Sequence, residues 1–114
     1  MAKTFGQILK ELRRSKNVTQ RELASEVGVD FSYISKAEND RLPPPAADTI
    51  VKICLVLDAE PDELLSMTGK VPSQVRQMVG ESPAALQFMR QAQNLRLTED
   101  EWKKLSQGLK HLRS

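Results

Sequence analysis

Between Thr19 and Asn39 the chain carries start and stop signals so closely spaced that few folds accommodate them. Thr19 and Glu22 have the Ser/Thr-x-x-Glu spacing of a capping box, which predicts a helix beginning at Gln20. Leu23, Ala24 and Val27 fall on one face of that helix. Gly28 follows directly, where a helix C-terminus needs a left-handed residue free of a Cβ penalty. Val29 can plug the corner, and Asp30 is a good N-cap for a second helix from Phe31 to about Asn39.

Two helices that cross tightly need a small side chain at the crossing, and Ala24 supplies one. Together with Gly28, Val29 and Ile34 it completes the set expected of a helix-turn-helix, with β-branched packing on either side of a turn glycine. An ordinary helical hairpin is the alternative. It does not require cap, crossing residue, turn and inner apolar positions to agree in register, as they do here.

The flanking segments read as further helices. Thr4 and Gln7 repeat the capping-box spacing, and Phe5, Ile8, Leu9 and Leu12 form one stripe of a helix from about Phe5 to Lys16. Its other side carries Lys10, Arg14 and Lys16. Lys10 reads as part of a solvated face, and Arg14 and Lys16 as nearer to any polyanion bound by the second helix of the pair. Pro43, Pro44 and Pro45 make a stiff connection, because each ring fixes φ and removes a donor. A helix from about Ala46 to Leu57 follows, with Ala47, Ile50, Val51, Cys54 and Leu57 inward. Pro61 opens a short fifth helix at its first position, where Asp62 and Glu63 suit the positive end of the helix dipole. Leu64 and Leu65 close the small core.

Composition sets limits. The 114 residues suit one compact domain plus an extension, and with 4% aromatic content the core must be mostly aliphatic. No apolar run approaches the roughly 20 residues of a membrane span, and no apolar signal segment opens the chain, so a cytoplasmic location is expected. Cys54 stands alone and excludes both an intrachain disulfide and a cysteine metal cluster. With one histidine, His111, and no Gly-rich phosphate loop, the chain offers no catalytic or metal-ligating constellation, and no cofactor is expected. The net charge of +2 permits nucleic-acid binding without diagnosing it.

A boundary is expected at Met67–Lys70, dividing a domain of residues 1–68 from a segment of residues 69–114. A short helix over Pro72 to Val79 precedes a longer one that Ser82 and Pro83 cap and that runs to about Asn94, with Ala85, Leu86, Met89 and Ala92 on its apolar side. Thr98 and Glu101 form a third capping box. In the helix that follows, Trp102, Leu105, Leu109 and Leu112 recur by three and four, the spacing of a coiled-coil-like seam. A module of this size has little core of its own. Either it folds back on the first domain or, the reading preferred here, it pairs with the same segment of a second chain.

Thr19-Gln20, Leu23-Ala24, Gly28-Val29 and the run Tyr33-Ile34-Ser35-Lys36 with Glu38-Asn39 resemble the Cro-type (XRE) helix-turn-helix family of phage and bacterial repressors. The resemblance covers about Phe5 to Leu65 and implies an all-α fold, a five-helix lambda-repressor-like DNA-binding domain, here followed by a C-terminal helical hairpin. The whole layout is similar to that of SinR-like repressors. By family analogy Phe31, Ser32 and Lys36 face base edges, Gln20 meets a phosphate, and Asn39 lies near the DNA backbone. Tyr33, Ser35 and Arg41 are further candidates for phosphate contact, and Arg13 with Glu38 corresponds to a structural ion pair.

Each candidate side chain suits its role chemically. Lysine can donate to guanine O6 and N7, serine to a base or a phosphate, and an aromatic ring can meet a thymine methyl. Phe31 has packing on the protein surface as its alternative, and Tyr33 is equally a packing residue. Two departures from the family pattern are Glu60, where a Ser or Thr cap is usual, and Ala37, where a larger aliphatic residue is usual. The implied function is a sequence-specific regulator of double-stranded DNA, a homodimeric repressor on a pseudo-palindromic operator. It would be released by a protein antagonist or a regulatory peptidase. A second reading makes it an antitoxin or interaction regulator whose tail binds a different protein.

Overall fold

The computed structural model describes residues 2–114, and among them every regular element is a helix. The first two are α1 (Phe5–Ser15) and α2 (Gln20–Val27), followed by α3 (Phe31–Glu38) and α4 (Ala47–Val56). Then come α5 (Asp62–Thr68), α6 (Ser73–Gly80), α7 (Pro83–Leu95) and α8 (Glu99–Leu109).

Three helices begin at capping boxes. Thr4, Thr19 and Thr98 each accept from the backbone N–H three residues on, while the side chains of Gln7, Glu22 and Glu101 accept from the threonine N–H groups. Gly28 ends α2 at φ +86, the left-handed conformation that glycine adopts without strain. Asp30 departs from expectation. It occupies the N-cap position of α3 with extended backbone, but its carboxylate makes no capping hydrogen bond. The Tyr33 N–H, which a capping side chain would take, bonds instead to the Asp30 carbonyl at 3.0 Å. Pro61 is likewise displaced by one residue. It stands before the first helical residue, and α5 begins at Asp62.

The core joins α1 through α5. α2 packs on α3 and α4, and α1 packs on α3 and α5. Leu9, Leu23, Ile34, Ile50, Ile53, Cys54 and Leu57 are the large side chains fully removed from solvent, with Ala24 and Ala37 buried where helices approach closely. Ile53 was not among the inward positions expected of α4, and Val51, which was, is only half-buried. Near Ala37 the neighbouring helix contributes a glycine. A Cβ on Gly6 would lie 2.6 Å from the Ala37 carbonyl oxygen and 2.5 Å from that of Glu38. Close approach of α1 thus compensates for the small residue beneath α3.

Two compact units are distinguishable, the first ending at Val75 and the second running from Arg76 to Ser114. The first extends past Gly69 because the segment after it is tied down. Lys70 Nζ donates to the carbonyls of Pro44 and Pro45 at 3.0 and 3.2 Å. Ser73 donates to Asp48 through its N–H at 2.9 Å and its hydroxyl at 2.7 Å.

In the second unit Ala92 is the buried hydrophobic residue, whereas Leu86, Phe88, Met89, Leu95, Trp102, Leu105 and Leu109 are all exposed. The seam expected to reach Leu112 stops short. α8 ends at Leu109, and Leu112 lies in the turn beyond it. Gly108 in the last turn lowers the helix propensity there.

Candidate nucleic-acid interface

Glu38 anchors the last turn of α3 beneath the surface. The residue is 3% exposed, and its carboxylate accepts from Arg13 Nε at 2.5 Å and Nη2 at 2.9 Å, a bidentate pair, and from Gln20 Nε2 at 2.9 Å. Arg13 Nη1 donates onward to the Val18 carbonyl at 2.8 Å. One buried carboxylate therefore ties α3 to α1 and α2, and both partners of the ion pair are fully hydrogen-bonded. The Glu38 hydrogen bond, opposed by burial, raises the pKa of Arg13 above its ordinary value.

Asp40, two residues after Glu38, ties the same end of α3 to the start of α1. It sits in the left-handed region at φ +57 and accepts from the Thr4 hydroxyl at 2.5 Å and the Gly6 N–H at 2.9 Å. Sequence reasoning missed this clamp, since no periodicity links residues so far apart in the chain.

With Ile34, Ala37 and Glu38 buried, the opposite flank of α3 faces solvent. Phe31, Ser32 and Lys36 are exposed there, spanning an arc of about 140° at 3.6 residues per turn. Tyr33 and Ser35 are half-buried, and burial pushes the Tyr33 phenol pKa up. Asn39 and Arg41 are exposed beyond the helix end, where Asn39 Nδ2 donates to the Ser35 carbonyl at 2.9 Å.

Beside this flank lies an open concavity between α1 and the start of α2, lined by Lys10, Arg14, Asn17, Arg21 and Phe31 among others. Lys10, read from the sequence as merely solvated, faces it. Lys16 does not. It reaches the Asp58 carbonyl at 3.2 Å, beyond the C-terminus of α4. The Arg21 guanidinium lies over the Phe31 ring, 4.5 Å from its centroid. Arg21 was not singled out from the sequence, because a contact across the turn leaves no signature in helical spacing. At the start of α2 the N–H groups of Gln20 and Arg21 have no intrahelical acceptor, and Thr19, Gln20 and Arg21, at this positive helix end, line the concavity. Among the described residues no group of His, Cys, Asp and Glu is placed to hold a metal ion, and no helix is long and apolar enough to cross a membrane.

Residues 9–64 match the Helix-turn-helix family. The HTH-type transcriptional regulator RghRB of Bacillus subtilis (strain 168), itself uncharacterized, is 36% identical over 76 residues, 64% of this chain and 55% of that protein. The match thus spans about half the length of that curated relative. The crystal structure of SinR, the master regulator for biofilm formation, in complex with DNA is similar at a TM-score of 0.51 and 34% identity, over 54% of this chain and 98% of that one. A complex of SinR protein with SinI protein is similar at a TM-score of 0.51 and 26% identity, over 82% of this chain and 97% of that one. These relatives are regulators and not enzymes. The chain belongs to the XRE-type helix-turn-helix family of transcriptional regulators.

Proposed function

We propose that this chain is a sequence-specific double-stranded DNA-binding repressor acting in the cytoplasm, with α3 laid in the major groove. The exposed flank of Phe31, Ser32 and Lys36, backed by the buried Arg13–Glu38 pair and its half-buried partner Gln20, is the observation that carries this reading. Lys36 donates to guanine, Ser32 to a base edge, and Phe31 meets a thymine methyl. Tyr33, Ser35, Asn39 and Arg41 surround them and contact phosphates. Gln20 also meets a phosphate, through its backbone N–H and through the amide hydrogen that its bond to Glu38 leaves over. The DNA held by SinR, a protein similar over 54% of this chain, supports the same partner here.

The operator is pseudo-palindromic and is bound by a homodimer. Few base contacts are available to one copy of α3, and two-fold pairing doubles them at a spacing of about 34 Å. The tail supports pairing: Trp102, Leu105 and Leu109 all lie exposed on α8, an apolar stripe that a second copy would cover. A second reading, a different protein bound by the tail, is favoured by the likeness to the SinR–SinI complex over 82% of the chain.

Selection of bound duplexes from a random pool at a fixed salt concentration tests the proposal. Two inverted half-sites about one helical turn apart are expected. Enrichment of no duplex over any other would sink it.

A further inference from the structure

We infer that Arg21 is a positioning residue for base recognition: its guanidinium holds the Phe31 ring in place for a thymine methyl while offering its own edge to a phosphate. The inference rests on the reading of α3 as the helix that enters the major groove. Phe31 is the first residue of α3, so no preceding turn of its own helix packs against the ring, and it is 40% exposed. A ring left free at such a position loses rotamer freedom on docking, which weakens the contact.

Arg21 removes that freedom beforehand. It lies across the turn on α2, whose position against α3 is fixed by the buried Leu23, Ala24 and Ile34 and by the Gln20–Glu38 bond. The cation stands 4.5 Å from the ring centroid, within the range of a cation–π contact. One ring face is thereby occupied, and the remaining face and edge are available to an apolar group. In a major groove the apolar group on a base edge is the thymine methyl.

The guanidinium is suited to the double role. Stacking uses its flat face and leaves the N–H donors in its plane, where a phosphate can accept from them. The concavity beneath it is basic, with Lys10 and Arg14 among its lining residues. Gln20, one residue earlier, has its amide nitrogen bound to Glu38. Arg21 adds a charged side-chain contact to phosphate at this corner, and the phosphate and methyl contacts are coupled through one stacked pair.

The test uses the full chain and its selected duplex, with each thymine replaced in turn by deoxyuridine, which lacks only the 5-methyl group. In the unmodified protein one position per half-site should lose about two- to fivefold in affinity, the size of an exposed cation–π or methyl contact. In Arg21→Lys, which keeps the charge but not the planar face, that thymine preference should fall toward one. A ring-current upfield shift of the Arg21 side-chain protons in the free protein, abolished in Phe31→Leu, reads the contact without DNA. An unchanged thymine preference in Arg21→Lys overturns the inference. So does the absence of a methyl-sensitive position in a protein that still prefers its selected duplex. Both results leave the DNA-reading function standing, whereas a protein that prefers no duplex removes that function and this inference with it.

Discussion

The carboxylate of Glu38 serves three donors from two other helices, so its removal is not a surface event. Glu38→Ala leaves the Arg13 guanidinium buried with no counter-charge and frees Gln20. Breaking such a pair from one side is expected to destabilise the domain by about 3–5 kcal/mol, seen as a lower urea midpoint. Lys36 lies on the other side of the same helix and is expected to behave in the opposite way. Lys36→Ala should leave the urea midpoint unchanged yet weaken binding at the selected duplex by about 1–3 kcal/mol with relaxed preference. Preference for one duplex surviving in Lys36→Ala would remove it from the base-reading set.

Cys54 gives a pH dependence at the same scale. Burial, with a smaller effect from Asp62, pushes its thiol pKa up in the folded chain. The unfolded thiol ionises first, near pH 8.5, so stability from this group is intact below that pH and declines as pH rises through the folded value. Tyr33, raised by burial as well, adds to the decline only above about pH 10. Urea midpoints measured across this range should fall, and Cys54→Ala should lack the earlier part of the fall.

Among the elements, glycines separate packing from propensity. A Cβ on Gly6 meets two backbone carbonyls of the α3 end, which cannot move without disturbing the α1–α3 crossing. Gly6→Ala is expected to cost about 1–3 kcal/mol, the usual penalty for overpacking. Gly108 has nothing within 4 Å of its notional Cβ and lies within α8. Gly108→Ala should therefore stabilise α8 by about 0.5–1 kcal/mol and raise helical circular dichroism.

The elements were the most legible part of the sequence. Threonine capping boxes and the glycine after Val27 mark helix ends through interactions only three residues long, and those can be read locally. Asp30 misled because cap preference describes a position and not whether the side chain turns inward. The ties of Lys70 and Ser73, which reach back about 25 residues to Pro45 and Asp48, leave no mark in local spacing. Phe31, Ser32 and Lys36 were reached through the family resemblance and not through spacing, and the structure leaves all three exposed on α3. Arg21 and Asp40 were invisible, since their partners are brought near only when the helices cross.

For the whole molecule, the tail poses a question of mass. Exposed Leu86, Phe88, Met89, Trp102, Leu105 and Leu109 form an apolar surface that a free monomer would present to water. Solution mass is expected to give a dimer for the full chain and a monomer for a chain ending at Val75, which keeps the Ser73–Asp48 bonds. Two monomers would exclude pairing through the tail.

The double clamp on the end of α3, Glu38 beneath it and Asp40 beside it, makes the foundation of the helix independent of its display. Ser32, Lys36 and Phe31 contribute little to the fold's foundation, so, on the proposed reading of α3, a lineage can exchange them and acquire a new target while its architecture stays intact. The divergence of regulatory networks built on such a chain would then run through a handful of outward letters, with the three-helix mooring inherited unaltered.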